Sequence, residues 1–205
     1  CGVNGIRSMA VNLKKTDPKD WENDKAPKKD KERVVYELHV KEFSYDKSGG
    51  FPLEYRGKYK AFTCKHTTLN NEGIHPTGLD YLKELGVTHI QIMPMYDYGS
   101  VDETKDEGFN WGYDPVNYNV PEGSYSTDAF HGEVRITEIK EMIQSIHEAG
   151  FGVIMDVVYN HTYSLDSWFQ RTLPWYFYRA FSDGKVSDGS ACGNDVASER
   201  AMCSK

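Results

Sequence analysis

The sequence lacks the patterns that mark membrane and nucleic-acid-binding proteins. No apolar run approaches the roughly 18 residues that a membrane span needs. Basic residues are too few for a polyanion partner, because 31 acidic residues outweigh 24 basic ones and leave a net charge of −7. We therefore predict no nucleic-acid partner and no membrane partner, and a neutral ligand fits this charge better.

Cysteine is scarce, and the usual catalytic signatures are missing. Four cysteines occur without CxxC spacing or a matching histidine pair, which argues against zinc: Cys1, Cys64, Cys192 and Cys203. They form no recognisable disulfide framework, which favours a reducing cytoplasm without fixing the localisation. The sequence has no GxGxxG, P-loop or nucleophile elbow, so phosphate cradling and serine-hydrolase chemistry are not indicated.

Segments with strand and helix periods alternate after residue 33. The patterns predict strands over 34–40, 88–95 and 151–159, and helices over 76–86 and 136–150. This order predicts βαβ units and an α/β fold with a parallel sheet. The helix-to-strand links are minimal, whereas the strand-to-helix links are long, and no clear helix pattern follows residue 160. In parallel α/β folds such long loops lie at the carboxyl ends of the strands, where ligands bind.

The first thirty or so residues differ from the rest in composition. A short strand is predicted over 5–13, and 14–33 is a charged stretch with two prolines that is typical of a solvated connector. A basic binding patch is the alternative, although acidic residues interrupt it, among them Asp17, Asp20, Asp24, Asp30 and Glu32. We expect a domain boundary near residue 30.

Aromatic side chains concentrate in the loop 108–125, GFNWGYDPVNYNVPEGSY. Glycines let the backbone turn tightly, and the rings of Trp111, Tyr113, Tyr118 and Tyr125 offer flat faces on which a sugar could stack. In the alternative interpretation the loop is packed on itself and the rings only support one another.

Polar residues interrupt and follow the third predicted strand in MDVVYNHT, residues 155–162. A carboxylate inside an apolar strand needs a partner, and we expect an arginine from another strand to pair with Asp156. A paired core aspartate without a chemical role is the alternative. His161, at the strand exit, is placed to donate to a ligand.

These motifs resemble the α-amylase superfamily of glycoside hydrolases, and within it the type I pullulanases, which cleave α-1,6 links in glucans. The similarity rests on NWGYDPVNYNVPEGSY and GVIMDVVYNHT, with VVYELHVKEFS, HPTGLDYLKELGVTHIQIMPMYDY and CGNDVASER in support. It implies a (β/α)8 TIM barrel of which about three of eight strands are present. GVNGIRSMAVNL resembles the segment that follows a β-sandwich carbohydrate module. The implied domains are 1–30, the end of that module plus linker, and 31–205, the first part of the barrel.

The resemblance also implies roles for single residues. Asp156 would support the catalytic arginine, His161 would contact the sugar at the cleavage subsite, and Tyr113 would stack on that sugar with Asp114 beside it. Trp111 belongs to the same binding wall. Asn194 matches a position on the rim of the site, and Asn160 matches a position that binds a structural calcium in many amylases. We predict no cofactor, with calcium as the alternative.

The implied catalytic pair is absent from the recognised motifs. Family members use a retaining mechanism with two carboxylates about 5 Å apart. The resemblance assigns these, and the arginine, to the fourth and fifth barrel strands. We therefore expect a fragment of an α-glucan debranching hydrolase that binds an α-glucan polysaccharide or oligosaccharide and contains no catalytic residue. The alternatives are an isoamylase-like debranching enzyme and a non-catalytic α-glucan-binding protein on a truncated barrel. The oligomeric state is not predicted.

Overall fold

The computed structural model describes residues 8–28 and 32–205. Within these residues, strands and α-helices follow one another along the chain: β1 (Val35–Leu38), α1 (Gly78–Glu84), β2 (His89–Ile92), β3 (Tyr96–Tyr98), β4 (Pro115–Pro121), α2 (Gly132–Glu148), β5 (Gly152–Met155) and α3 (Trp168–Thr172). Short 3-10 helices lie in the connections: Leu13–Thr16, Trp21–Asn23, Lys47–Gly49, Leu53–Tyr55, Tyr59–Thr63 and Leu69–Asn71. Both helices and all three strands predicted after residue 33 are confirmed.

Strands β1, β2 and β5 form a parallel sheet with β2 in the middle. Tyr36 pairs with Ile90, which pairs in turn with Val153. The predicted α/β fold is therefore confirmed. Each strand is shorter than predicted, and for β2 the sequence supplies a reason: Pro94 has no N–H with which to extend the ladder beyond Ile92.

Helices α1 and α2 cover one face of this sheet. Ile90 and Ile92 are fully buried there, in one cluster with Leu82, Met142 and Ile146 from the helices. Burial of each such side chain contributes about 1.5–3 kcal/mol. The opposite face, which carries Val35, Glu37, His89, Gln91 and Ile154, is largely open, as expected for the side that would line a barrel.

Both long helices end in the same way. Gly86 follows α1 and Gly150 follows α2, with φ angles of 74° and 95°. The next residue then donates its N–H back into the helix, at 3.2 Å from Val87 to the Leu82 carbonyl and at 3.1 Å from Phe151 to the Ile146 carbonyl. This is the Schellman arrangement. It allows β2 and β5 to begin two or three residues after the glycine.

The second long connection contains structure that the sequence interpretation missed. β3 and β4 form an antiparallel pair with irregular register, and α2 begins at Gly132 rather than residue 136. Proline at both ends of β4 hides the strand from pattern reasoning. The expectation of no helix after residue 160 was also wrong, because α3 occupies five residues there and Ser167 caps it.

The N-terminal segment runs along the outside of α2. Asp17 lies 2.6 Å from the Lys140 ammonium, and Asp24 lies 2.7 Å from Nδ1 of His147. Between them, Gln144 donates to a backbone carbonyl of the same segment at 3.0 Å. Of the strand predicted over 5–13, residues 5–7 lie outside the described residues, and residues 8–12 are not a strand. The domain boundary near residue 30 stays a prediction.

Candidate functional site

The predicted site residues lie at the carboxyl ends of β1, β2 and β5. Asp156 directly follows β5, and its N–H still pairs with the Ile92 carbonyl at 3.1 Å. Tyr113 reaches it from the β3–β4 connection, which begins just beyond β2. His161 lies five residues beyond Asp156. The sheet therefore brings together residues that are 43 or more positions apart in the sequence.

Tyr113 and Asp156 are joined by a hydrogen bond. The Tyr113 hydroxyl donates to Oδ2 of Asp156 at 2.9 Å, while the ring is 39% exposed. Burial, followed by the hydrogen bond and charge of Asp156, raises the pKa of Tyr113 to about 12, so the hydroxyl stays protonated. No arginine forms an ion pair with Asp156 within 8–28 and 32–205, where the hydroxyl of Tyr113 is its side-chain partner instead.

His161 is buried beneath Tyr113. Its Nε2 lies 2.7 Å from the Tyr113 carbonyl oxygen and must donate to it, while Nδ1 accepts from the Asn160 amide at 3.0 Å. The Tyr118 hydroxyl donates to the His161 carbonyl. These bonds define one neutral ring form, in which both ring nitrogens bind protein atoms.

Asp114 and Trp111 flank Tyr113 but face different surroundings. The Asp114 carboxylate accepts from Asn110 at 2.8 Å and from Ser100 at 3.0 Å, so it braces its own loop. Burial raises the pKa of Asp114, although both hydrogen bonds oppose this effect. The Trp111 ring is 61% exposed and available for stacking.

Two further aromatic residues of this loop, Tyr118 and Tyr125, pack against other rings of the protein. Tyr125 is buried in the core and contacts Tyr59 and Tyr98 edge-on. Tyr118 packs edge-on against Phe169. The loop therefore combines both interpretations of its aromatic residues: two rings support the fold, and those of Trp111 and Tyr113 are exposed.

Asn194 lies below this cluster rather than at an open rim. It is 4% exposed, and its Oδ1 accepts from the Thr162 N–H at 2.8 Å. The neighbouring Asp195 carboxylate accepts from Ser187 and from the Gly189 N–H, each at 2.6 Å. Hydrogen bonds, first from the Ser187 hydroxyl, hold the pKa of Asp195 well below its usual range. Asn194 thus supports the strand exit that carries His161.

No metal site accompanies these residues in the described part of the chain. Among residues 8–28 and 32–205, no group of three or more His, Cys, Asp or Glu side chains could hold an ion. Asn160, the implied calcium position, has its amide directed to Nδ1 of His161. Cys1 lies outside the described residues, and the thiols of Cys64, Cys192 and Cys203 are unpaired.

Sequence reasoning missed His39, a buried residue directly after β1. Its ring is 3% exposed, and Nε2 lies 2.9 Å from the carbonyl oxygen of Asn110, in the loop that carries Tyr113. The only sequence signal is a histidine within the apolar run VVYELHV. A partner 71 residues away in the chain cannot be read from that pattern.

Comparison with known proteins defines the class to which this arrangement belongs. Residues 69–186 match the model of the alpha-amylase catalytic domain. The chain is 43% identical over 174 residues to pullulanase of Bacillus subtilis, and 33% identical to chloroplastic pullulanase 1 of Arabidopsis thaliana across 98% of its own length. It spans 24% of the length of each of these relatives.

Solved structures agree with the sequence relatives. A pullulanase from Paenibacillus barengoltzii, crystallised with maltohexaose and alpha-cyclodextrin, superposes with a TM-score of 0.92 at 46% identity. The match covers 98% of this chain and 32% of that one. The chain belongs to the alpha-amylase catalytic-domain family, and its parallel sheet is part of a TIM barrel. Within the family its similarity is to pullulanases, so the resemblance inferred from the sequence motifs is confirmed.

Proposed function

We propose that this chain forms the substrate-binding first part of a hydrolase that cleaves α-1,6 links in α-glucans. The observation that carries the proposal is the joined set of Tyr113, Asp156 and His161 at the carboxyl ends of the parallel strands. Ligands bind at this end of a TIM barrel. The solved pullulanase relative described above was crystallised with maltohexaose, which supports an α-glucan as the ligand.

In this proposal each side chain has a separate task. The exposed rings of Tyr113 and Trp111 stack on sugar units. Asp156 holds the Tyr113 hydroxyl and, in a complete barrel, would also hold the arginine that the family places opposite it. His161 reaches the sugar when its bond to the Tyr113 carbonyl is exchanged for a sugar hydroxyl.

The proposed mechanism is retaining, with the nucleophile and acid supplied by barrel strands other than β1, β2 and β5. The two acidic residues nearest the end of the chain are occupied otherwise. Asp195 is 4% exposed and surrounded by donors, which favour its ionised form and make it a poor general acid. Glu199 forms an ion pair with Arg179 at 2.7 Å. Neither therefore replaces the implied pair.

Titration of the 205-residue chain with maltotetraose tests the binding part of the proposal. Tyr113→Ala should weaken binding about tenfold, because it removes the stacking face. Tyr81→Ala is the matched control, since Tyr81 has similar exposure, at 44%, but lies on α1. Equal affinities for the two variants would contradict the assigned site.

A reducing-sugar assay on pullulan tests the catalytic part. We expect no hydrolysis by this polypeptide alone, because the carboxylate pair lies on other strands. Turnover that Tyr113→Ala abolishes would show that a catalytic pair exists within these residues, and it would overturn this assignment.

A further inference from the structure

His39 connects the end of β1 to the loop that carries Tyr113. The ring is 3% exposed and tilts against Phe109, with 4.7 Å between ring centroids. Nε2 lies 2.9 Å from the Asn110 carbonyl oxygen and 2.9 Å from the Tyr125 hydroxyl. The candidate site described above does not account for a buried imidazole at this position.

The surrounding backbone determines which nitrogen of His39 carries the proton. The N–H groups of Lys41 and Glu42 point at Nδ1 from 3.2 and 3.4 Å, so Nδ1 must accept. The proton of the neutral ring is therefore on Nε2 and is donated to Asn110. Burial lowers the pKa of His39 and outweighs the hydrogen bond to Asn110 and the charge of Glu42, which both raise it, so the neutral form is favoured.

The side chain of Asn110 binds both residues that flank Tyr113 in the chain, Gly112 and Asp114. Its Oδ1 accepts from the Gly112 N–H at 2.8 Å, and its Nδ2 donates to Asp114 at 2.8 Å. Gly112 packs closely against Pro94, since a Cβ there would lie 2.6 Å from the Pro94 carbonyl oxygen. The backbone on each side of Tyr113 is thus fixed by one residue, which His39 in turn holds.

We propose that His39 is a positioning residue, which acts through Asn110 to hold Tyr113 over Asp156. The inference rests on the proposed function, in which the Tyr113 ring is the stacking face for an α-glucan. His39 itself does not touch the sugar. Lys41 assists from the same end of β1 by donating to the Gly108 carbonyl at 2.8 Å.

Two substitutions at position 39 separate positioning from simple core filling. Glutamine places an N–H near the position of Nε2 and keeps a donor for Asn110, whereas asparagine reaches only the position of Nδ1. Both lose the ring, so they form a matched pair. The readout is hydrogen exchange at the Gly112 amide in the 205-residue chain, measured by NMR, with the Gly150 amide at the end of α2 as internal control.

We expect His39→Asn to accelerate exchange at Gly112 about tenfold or more, and His39→Gln to stay within about threefold of the wild type. Exchange at Gly150 should be the same in all three proteins. The affinity for maltotetraose should fall more in His39→Asn than in His39→Gln. Equal exchange at Gly112 in both variants would overturn the proposal.

A further measurement needs no substitution and applies even if the variants fail to fold. Nitrogen-15 spectra of the wild-type ring should show the proton of His39 on Nε2 at neutral pH, and a proton on Nδ1 would overturn the inference. If the wild-type chain does not bind maltotetraose while the two variants still differ at Gly112, the proposed function fails and the positioning role of His39 stands.

Discussion

Tyr113 presents two chemical surfaces that can be tested separately. Its hydroxyl is bound to Asp156 at 2.9 Å, and its ring face is partly open to solvent. The hydroxyl orients the ring, and the ring offers the contact area. A single substitution removes one surface and keeps the other.

Tyr113→Phe should therefore behave differently from Tyr113→Ala. We expect the free energy of unfolding to fall by about 1 kcal/mol, because Asp156 loses a hydrogen bond at a partly exposed site. Maltotetraose affinity, measured by calorimetry, should change by less than about threefold, since the ring remains. If phenylalanine weakens binding as much as alanine, the hydroxyl rather than the ring carries the interaction.

Glu122 makes the stability of the protein depend on pH. The residue is 2% exposed, and its carboxylate accepts from the N–H groups of Ser124 and Tyr98. Burial, followed in smaller part by the charge of Asp97, raises the pKa of Glu122 to about 7. The pKa of Glu122 is higher in the folded state than in the unfolded state. Between pH 4.5 and 7 the carboxyl is therefore protonated in the folded state and ionised in the unfolded state. The contribution of Glu122 to stability thus falls as the pH rises through this window.

Glu122→Gln should remove this contribution. Between pH 4.5 and pH 7.5 the variant should gain about 3 kcal/mol of unfolding free energy relative to the wild type, because only the wild type loses the contribution of Glu122 as the pH rises. Urea unfolding at a series of pH values measures it. Because other groups titrate in both proteins, only the difference between them is informative. A pH-independent difference would show that Glu122 does not titrate in this range.

At the residue scale, the sequence predicted the meeting of Tyr113, Asp156 and His161 but not the bonds between them. Motif resemblance named these residues, because their types and spacing are specific, and their roles in binding stay predictions. The Asn110–His39 contact and the use of both His161 nitrogens depend on loop paths that no local pattern encodes.

At the scale of elements, each turn from helix to strand depends on a glycine with positive φ, Gly86 after α1 and Gly150 after α2. Gly150 has φ 95°, and no atom lies within 4 Å of the position a Cβ would take. A substitution there meets no steric clash, so its effect reports backbone conformation alone.

Gly150→Ala should lower the free energy of unfolding by about 1 kcal/mol, because a side chain disfavours this left-handed conformation. Gly150→Asn is the matched control and should lower it less, since asparagine tolerates the conformation better. Thermal or urea unfolding measures both. An alanine variant as stable as the wild type would mean that the helix ends differently in solution.

The elements that were missed share a physical cause. β4 begins and ends with proline, and α3 has only five residues. The prolines make β4 resemble a loop, and five residues are too few for α3 to show a helix period. Long, regular elements such as α2 were found, although its first turn was missed.

For the whole molecule, the open edges of the parallel sheet favour association in solution. Within the described residues, only β2 of the parallel sheet has a strand on each side. Val35 on the edge strand β1 and Val157, two residues beyond the end of the edge strand β5, are 46% and 42% exposed. Exposed apolar side chains on unpaired strands favour association with other surfaces.

We expect the isolated 205-residue chain to bind the dye ANS and to have poor solubility. Replacing Val35 and Val157 with the isosteric threonine should reduce ANS fluorescence, while Val153→Thr on the covered side should destabilise the chain instead. A sharp cooperative melt without dye binding would show that these residues form a self-sufficient fold.

The connections at the two ends of the sheet also differ in how well they tolerate inserted or replaced residues. At the amino ends, three or four residues, one of them a glycine, join each helix to its strand, so an inserted residue there would shift the strand register. At the carboxyl ends, connections of tens of residues can lengthen or exchange side chains while the ladder stays intact. Sequence drift in this protein should accumulate at one rim only. A library of random insertions would therefore map the ligand-facing rim as the positions that tolerate them.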